Sequence, residues 1–556
     1  MLAGAASERT FADERVWNVS AGGDMQDENN WRDNILPGAK DTLRFQTDQT
    51  APIWLSDDMT AVPDWGPWTL FNASAEFALT NSYGEVKTLT LGRAQTQYNG
   101  HTIRLTAGNI VLNGDFYEGD SWDHENSLII DGPNASWSST GGFCIGSKNY
   151  NDSAVITNGA TLSGSWITAG RDATEKASNN TIRVTGSGTT ATFTDWLTIG
   201  AAGANLLEVS DGASFTVKNG ARIGSINNDS VNGVYVGDAT FRVKDNARAT
   251  ITGGSILVGQ HSMSNLLEVV GGGRLVVTNT IHVGSNDGYP NNFMVNFPDY
   301  TRSGNMLRVS GENSSVEVHG GGNSGVWVGH ERAPDSTLLV ENGATFTSEG
   351  EFKVGDGNCV TNARVVVRSG AKLTHSIYSF GIGYNTAATN STLEVDGGEV
   401  EINSAMFISG NCGQLVVSNG GVVKANDKLE IGLNGEARNV RFSLSGSDSK
   451  VETLPLRIGQ NGILAVEVPA KGFTDGEAPI KCRWLDLYNG CRLEVTEARA
   501  RRPGGRIVLV EAENDITYPA DENWTVVLPE GAYLDKTNPK QLAVKLPVYG
   551  LTVFIR

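Results

Sequence analysis

A short phrase returns down most of this chain: a β-rich run, a turn containing Gly, a second β-rich run, then an apolar residue directly before Gly. It spans Leu207-Glu208-Val209 to Ile223-Gly224, Leu267-Glu268-Val269 to Val283-Gly284, and Leu339-Val340 to Val354-Gly355. It returns from Leu393-Glu394-Val395 to Ile408-Ser409-Gly410 and from Leu415-Val416-Val417 to Ile431-Gly432. A unit repeated every 25 or so residues stacks on its neighbours and shares one core with them, so length becomes a count of coils rather than of separate domains.

Within a unit the apolar residues alternate with polar ones, as in Leu207-Glu208-Val209 and Ala371-Lys372-Leu373. Short runs with period two and β-branched enrichment, such as Val365-Val366-Val367, argue strand over helix. Asp211-Gly212, Asn342-Gly343, Asp396-Gly397 and Asn419-Gly420 separate the runs, and these residue types accept left-handed backbone. A meander would reverse strand order at every turn, whereas here each residue type returns at one phase of every unit. The expected fold is therefore all-β, a single-stranded right-handed parallel β-helix, the hand following from the crossover preference. Two longer units carry Ser225 to Gly233 and Asp287 to Asn305 as inserted loops. Asn149, Asn286, Asn385, Asn411, Asn434 and Asn461, after the closing glycines, are expected to stack as a ladder.

The period is lost at both ends. Residues 1–85 hold Trp17, Trp31, Trp54, Trp65 and Trp68 and are expected to form an N-terminal cap. Residues 86–460 form the repeat body, and 461–556 a strand-rich C-terminal cap, since an open β-helix end would recruit other chains.

Composition narrows the function. Lys and Arg total 43 against 62 Asp and Glu, a net charge of −19. Such a chain repels phosphate backbones and anionic bilayers, so nucleic acid is an unexpected partner. The five cysteines contain no C-x-x-C pair, which gives no support to a zinc or thioredoxin-like site. Cys482 and Cys491 are the one pair placed for a disulfide, with two buried thiols as the equal alternative. No stretch reaches the ~18 apolar residues of a membrane helix. Met1 to Ala6 is too short for a signal segment, so export would rely on a targeting segment outside this sequence.

Several motifs resemble those of bacterial autotransporter-type passengers and of secreted β-helix proteins with pectin-lyase-like folds. The opening Val16-Trp17-Asn18, Asn30-Trp31, Pro37, Asp41 and Phe45 is similar to the start of such surface proteins, and the L-x-V-x-x-G-A…I-G units resemble their body. Gly505 to Val510, Leu528 to Gly531 and Gln541 to Val544 resemble their closing region. The resemblance implies an extracellular or cell-surface location more firmly than any activity. No translocator barrel follows in the sequence, so self-translocation is not implied.

β-Helix enzymes that act on acidic polysaccharides need clustered carboxylates for calcium or for acid–base work. The candidate cluster is Asp115, Glu118, Asp120, Asp123 and Glu125, beside His124. Trp122-Asp123-His124 is similar to the W-x-D-H run of pectate lyases but lacks the intervening residue. A solvated acidic loop, a Ca²⁺ site and a catalytic site are the open readings, and no other cofactor is expected. Gly329-His330-Glu331-Arg332 is similar to the G-H element of polygalacturonases without its paired aspartates, and reads as a polar turn. Arg499, Arg501, Arg502 and Arg506 read as a solvated hairpin tip. In the longer insertion, Tyr289, Phe293, Phe297 and Tyr300 either pack on the coil or stay exposed to stack on sugar rings or a protein partner.

The expected function is a non-catalytic extracellular or cell-surface structural or adhesion protein that contacts glycans or envelope components. The alternatives are a polysaccharide lyase or glycoside hydrolase working in a groove along the coils, and a fibre or coat subunit.

Overall fold

A computed structural model describes residues 13–38, 41–61, 69–96, 99–119, 124–171, 177–200, 203–225, 237–260, 262–284, 303–322, 324–330, 333–357, 360–368, 370–384, 387–497 and 505–546. The fold is a right-handed parallel β-helix. Among the described residues there is no α-helix, and no helix is long and apolar enough to cross a membrane. The chain divides into two compact units, Met1–Gly254 and Ser255–Arg556.

In the body of the repeat a coil contributes three short strands, each pairing in parallel with its equivalent one coil later, and in Thr102–Leu112 and Lys450–Ile458 two of these strands run on as one. In the first unit the first strands run Ser127–Asp131, Ser153–Thr157, Thr181–Thr185 and Leu206–Ser210. Their register places Leu128, Ala154, Ile182 and Leu207 in one inward column and Ile130, Ile156, Val184 and Val209 in the next. All eight are buried, because a period of two turns every second side chain into the coil. Aromatic residues fill part of this core in contact with one another, Phe116 with Trp137 at 5.3 Å and Phe215 with Phe241 at 6.0 Å between ring centroids.

Parallel pairing starts earlier than the loss of the repeat suggests. Glu14–Trp17 pairs with Thr42–Phe45, which pairs with Thr69–Phe71. Within the segment expected as a Trp-rich cap, Trp17 and Trp31 are buried edge-to-face at 5.2 Å, and their indole nitrogens donate to the carbonyls of Val19 and Met25. Trp54 is 37% exposed, and Trp65 and Trp68 lie outside the described residues. The corners there are built by 3-10 turns, Glu28–Asn30 and Arg32–Asn34, in place of the apolar-Gly phrase.

In the second unit, parallel pairing likewise continues past residue 460: Gly462–Val468 pairs with Arg492–Glu497, and that strand with Thr525–Val527. Among the described strands of this unit, the direction changes at Gln541–Leu546, which runs antiparallel to both Gly505–Ala512 and Tyr533–Asp535. This last strand covers an edge that would otherwise stay open.

The expected asparagine ladder exists at a different phase. Asn286 and Asn385 lie outside the described residues, and Asn434 accepts from the Glu436 N–H within its own turn. Asn411 and Asn461 each reach one neighbouring coil, Asn411 accepting from the Arg438 N–H at 3.1 Å and Asn461 donating to the Gly435 carbonyl at 3.4 Å, without forming a continuous stack. The stacked residues instead immediately precede the first strand of each coil. The Asn126 main-chain N–H donates to Asp152 Oδ1 at 2.9 Å, that of Asp152 to Asn180 Oδ1 at 3.0 Å, and that of Asn180 to Asn205 Oδ1 at 3.0 Å. In the second unit Asn265 donates in the same way to Asn305 at 3.1 Å. This position is the sharp corner between third and first strands, where the main-chain N–H would otherwise be left without a partner.

The ladder also explains the closing glycines. Gly146 has φ +70°, and a Cβ there would overlap the side-chain amide of Asn180. Gly355, at φ +72°, would likewise overlap the Ser391 hydroxyl.

Candidate functional site

The third strands of the second unit include Ile281–Val283, Gly325–His330, Glu351–Asp356 and Phe380–Ile382. Val326, Val328, Phe352, Val354, Phe380 and Ile382 point into the core. Alternation therefore turns His282, Trp327, Lys353 and Gly381 outward, and they sit in register as one column. Gly381 leaves room for Tyr384 to fold back: a Cβ at 381 would lie 2.7 Å from the Tyr384 ring. Lys353 Nζ is held between two aromatic faces, 4.7 Å from the Trp327 centroid and 4.5 Å from that of Tyr384. The imidazoles of His282 and His330 each pack 4.6 Å from the Trp327 ring. Tyr384 remains 44% exposed.

Lys353 also bonds Glu351 at 2.9 Å and Asp356 at 3.3 Å. Burial works against the ammonium charge, but the Glu351 hydrogen bond and the Asp356 carboxylate outweigh it and hold Lys353 above its ordinary value. Burial likewise opposes the Asp356 charge, and His330 with Lys353 outweighs it, so Asp356 is held below the usual carboxylate range. His330 Nδ1 stands 3.6 Å from Asp356. Glu351 and Asp356 thus share one lysine nitrogen, which stands between them, and Asp356 is held below its ordinary value, where a general acid needs a raised pKa.

The corner that follows this strand carries a groove of about 470 Å³ lined by Asp335, Thr337, Asn362, Arg364, Asn390, Thr392 and Gln414. Two columns build it. Asp335, Asn362 and Asn390 are corner residues with φ of +54°, +58° and +56°. Their side chains bond in series, Asn362 Nδ2 to Asp335 at 2.9 Å and Asn390 Nδ2 to Asn362 at 3.3 Å. Thr337, Arg364, Thr392 and Gln414 lie in register at the starts of the following strands, where Arg364 pairs with Glu394. Every lining side chain offers a hydrogen-bond donor or acceptor, repeated at the rung spacing of about 4.8 Å.

The residues singled out in the sequence fall differently. Asp115 Oδ1 accepts the Gly142 N–H of the next coil at 3.0 Å, pinning a turn. Glu118 points into the core and is fully buried. Its carboxyl is pushed well above the usual range, first by burial and then by the Asp152 charge. Glu125 sits at a left-handed turn with its side chain 63% exposed, 3.9 Å from His124. Asp120, Asp123, Tyr289, Phe293, Phe297 and Tyr300 lie outside the described residues, as do Arg499, Arg501 and Arg502. Among the described residues no three His, Cys, Asp or Glu side chains come together as a metal group.

Cys482 and Cys491 are separate buried thiols rather than a bridge. Burial is the main cause that pushes them up, to about 12 and about 11.

The sequence reading missed the outward column, although the signal was present. His282, Trp327, Lys353 and Gly381 each lie two residues before a closing glycine. Fold and face together define a β-helix repeat protein with a polar corner groove beside an aromatic and charged stripe. No family model, curated protein or solved structure matches this chain.

Proposed function

We propose that this protein is a non-catalytic β-helix of the cell surface or extracellular space that binds a glycan along the corner groove, in keeping with its resemblance to passenger-type surface proteins. The observation that carries this reading is the groove lining: hydrogen-bonding side chains from four successive coils, with no hydrophobic residue among the described ones. A regular row of donors and acceptors suits a polymer that presents hydroxyls at regular intervals, and weak contacts on successive rungs add up through effective concentration. Tyr384 flanks the same corner with an exposed ring, a surface on which sugar rings stack. The lysine-bridged carboxylates beside it favour binding over turnover.

A glycan array followed by calorimetry tests the reading, with Asn362→Ala/Asn390→Ala and Arg364→Ala as variants. The wild type retains at least one polysaccharide, and the variants weaken that binding about tenfold or more, as loss of one or two hydrogen bonds to a polar ligand implies. Binding unchanged in the variants, no retained glycan, or release of new chain ends from a polysaccharide would overturn it.

A further inference from the structure

In the first unit the repeat places an apolar residue directly before the closing glycines, as at Ile145, Ala169, Ile199 and Ile223, and one coil breaks that rule. Glu118 precedes Gly119 and shares its column, in register, with Ile145, Ala169, Ile199 and Ile223. It is fully buried, and neither carboxylate oxygen has a hydrogen-bond partner among the described residues. An ionised carboxylate in such a place is costly without a compensating positive charge.

A second irregularity stands against it. The ladder at this height holds Asp152 where its neighbours hold Asn126, Asn180 and Asn205. Asn180 and Asn205 use their NH₂ groups to bond main-chain carbonyls, those of Asn149 at 2.9 Å and Ala177 at 2.8 Å. Asp152, fully buried, presents Oδ2 in place of that donor, and a Cβ on Gly119 would overlap this oxygen. The same Cβ would lie 2.7 Å from Asn149 Nδ2, which is buried without a hydrogen-bond partner among the described residues. Rotation of that amide would put its oxygen beside Asp152 Oδ2 in place of the nitrogen.

We propose that Glu118 and Asp152, with the amide oxygen of Asn149, bind a hard divalent cation inside the coil, Ca²⁺ by the chemistry of the donors. All three are oxygen ligands, and two carboxylates balance the charge of the ion. Calcium completes its shell with main-chain carbonyls and water in a tolerant geometry, whereas zinc would ask for nitrogen or sulfur. The site is distinct from the glycan groove and does not depend on it.

The test is thermal unfolding of the chelator-treated chain with and without calcium chloride, with calorimetry to count bound ions. Calcium raises the Tm of the wild type by about 5 °C or more at saturation, with one site that is absent in Glu118→Gln and in Asp152→Asn. Glu118→Ile, which restores the apolar column, is more stable than the chelated wild type and indifferent to calcium. A wild type that ignores calcium, or a Glu118→Gln variant that responds as fully as the wild type, would overturn the assignment.

Discussion

Single residues inside the coils carry most of the chemistry that can be read out in solution. His375 points inward in the second unit, in register between Ser348 and Ile402, and is fully buried. The Ser348 hydroxyl lies 3.0 Å from Nδ1 and the Tyr378 carbonyl 3.2 Å from Nε2, a pair of contacts that a neutral imidazole satisfies with its proton on Nε2. Burial lowers its pKa to about 4, against a small opposing effect of the Tyr378 bond. Between that value and the ordinary histidine value near 6.5 the unfolded chain holds a proton that the folded one does not. Its contribution is therefore intact above pH ~6.5 and lost as pH falls toward 4, by about 3 kcal/mol over the window. Urea unfolding at pH 7.5 and pH 4.5 should show this loss in the wild type and a much smaller one in His375→Leu. Equal acid sensitivity in the two would place the titrating group elsewhere.

At the scale of the element, strands and corners were unequally legible. Alternation in Leu207-Glu208-Val209 and its equivalents identified the strands and their inward faces, because burial enforces a period of two on every rung. The ladder was misplaced by phase because asparagine serves both as a left-handed corner residue, as at Asn362, and as a bridge between rungs, as at Asn205. Its own signal was the recurring Asn-x-Leu-x-Val of Asn205 to Val209, Asn265 to Val269 and Asn305 to Val309. Each ladder side chain replaces backbone pairing that the corner forfeits. Asn180 accepts from Asp152 and donates to Asn149, so Asn180→Ala leaves two buried main-chain groups without partners and should cost about 2–4 kcal/mol. Asn180→Ser, the residue type found at Ser336 and Ser391, should recover part of that loss. Denaturant titration of the three proteins measures both effects.

For the whole chain, the repeat made the architecture legible, while the function was legible only where a residue breaks the repeat. Glu118 in an aliphatic column was visible in the sequence as an acidic residue, but the column it violates emerges only once the rungs are in register. The groove from Asp335 to Gln414 was illegible for the opposite reason: each residue is ordinary in its own turn, and the site arises from stacking. Both assignments stand on successive segments lying in parallel register. Thr337, Arg364, Thr392, Gln414 and Arg441 occupy one column on consecutive rungs. Nitroxides placed at 337 and 441, with the native cysteines replaced, should give a pulsed-EPR distance near 19 Å, four rungs of about 4.8 Å. A distance well beyond about 30 Å, as separate globules or reversed strands would give, would contradict the parallel register and with it the groove.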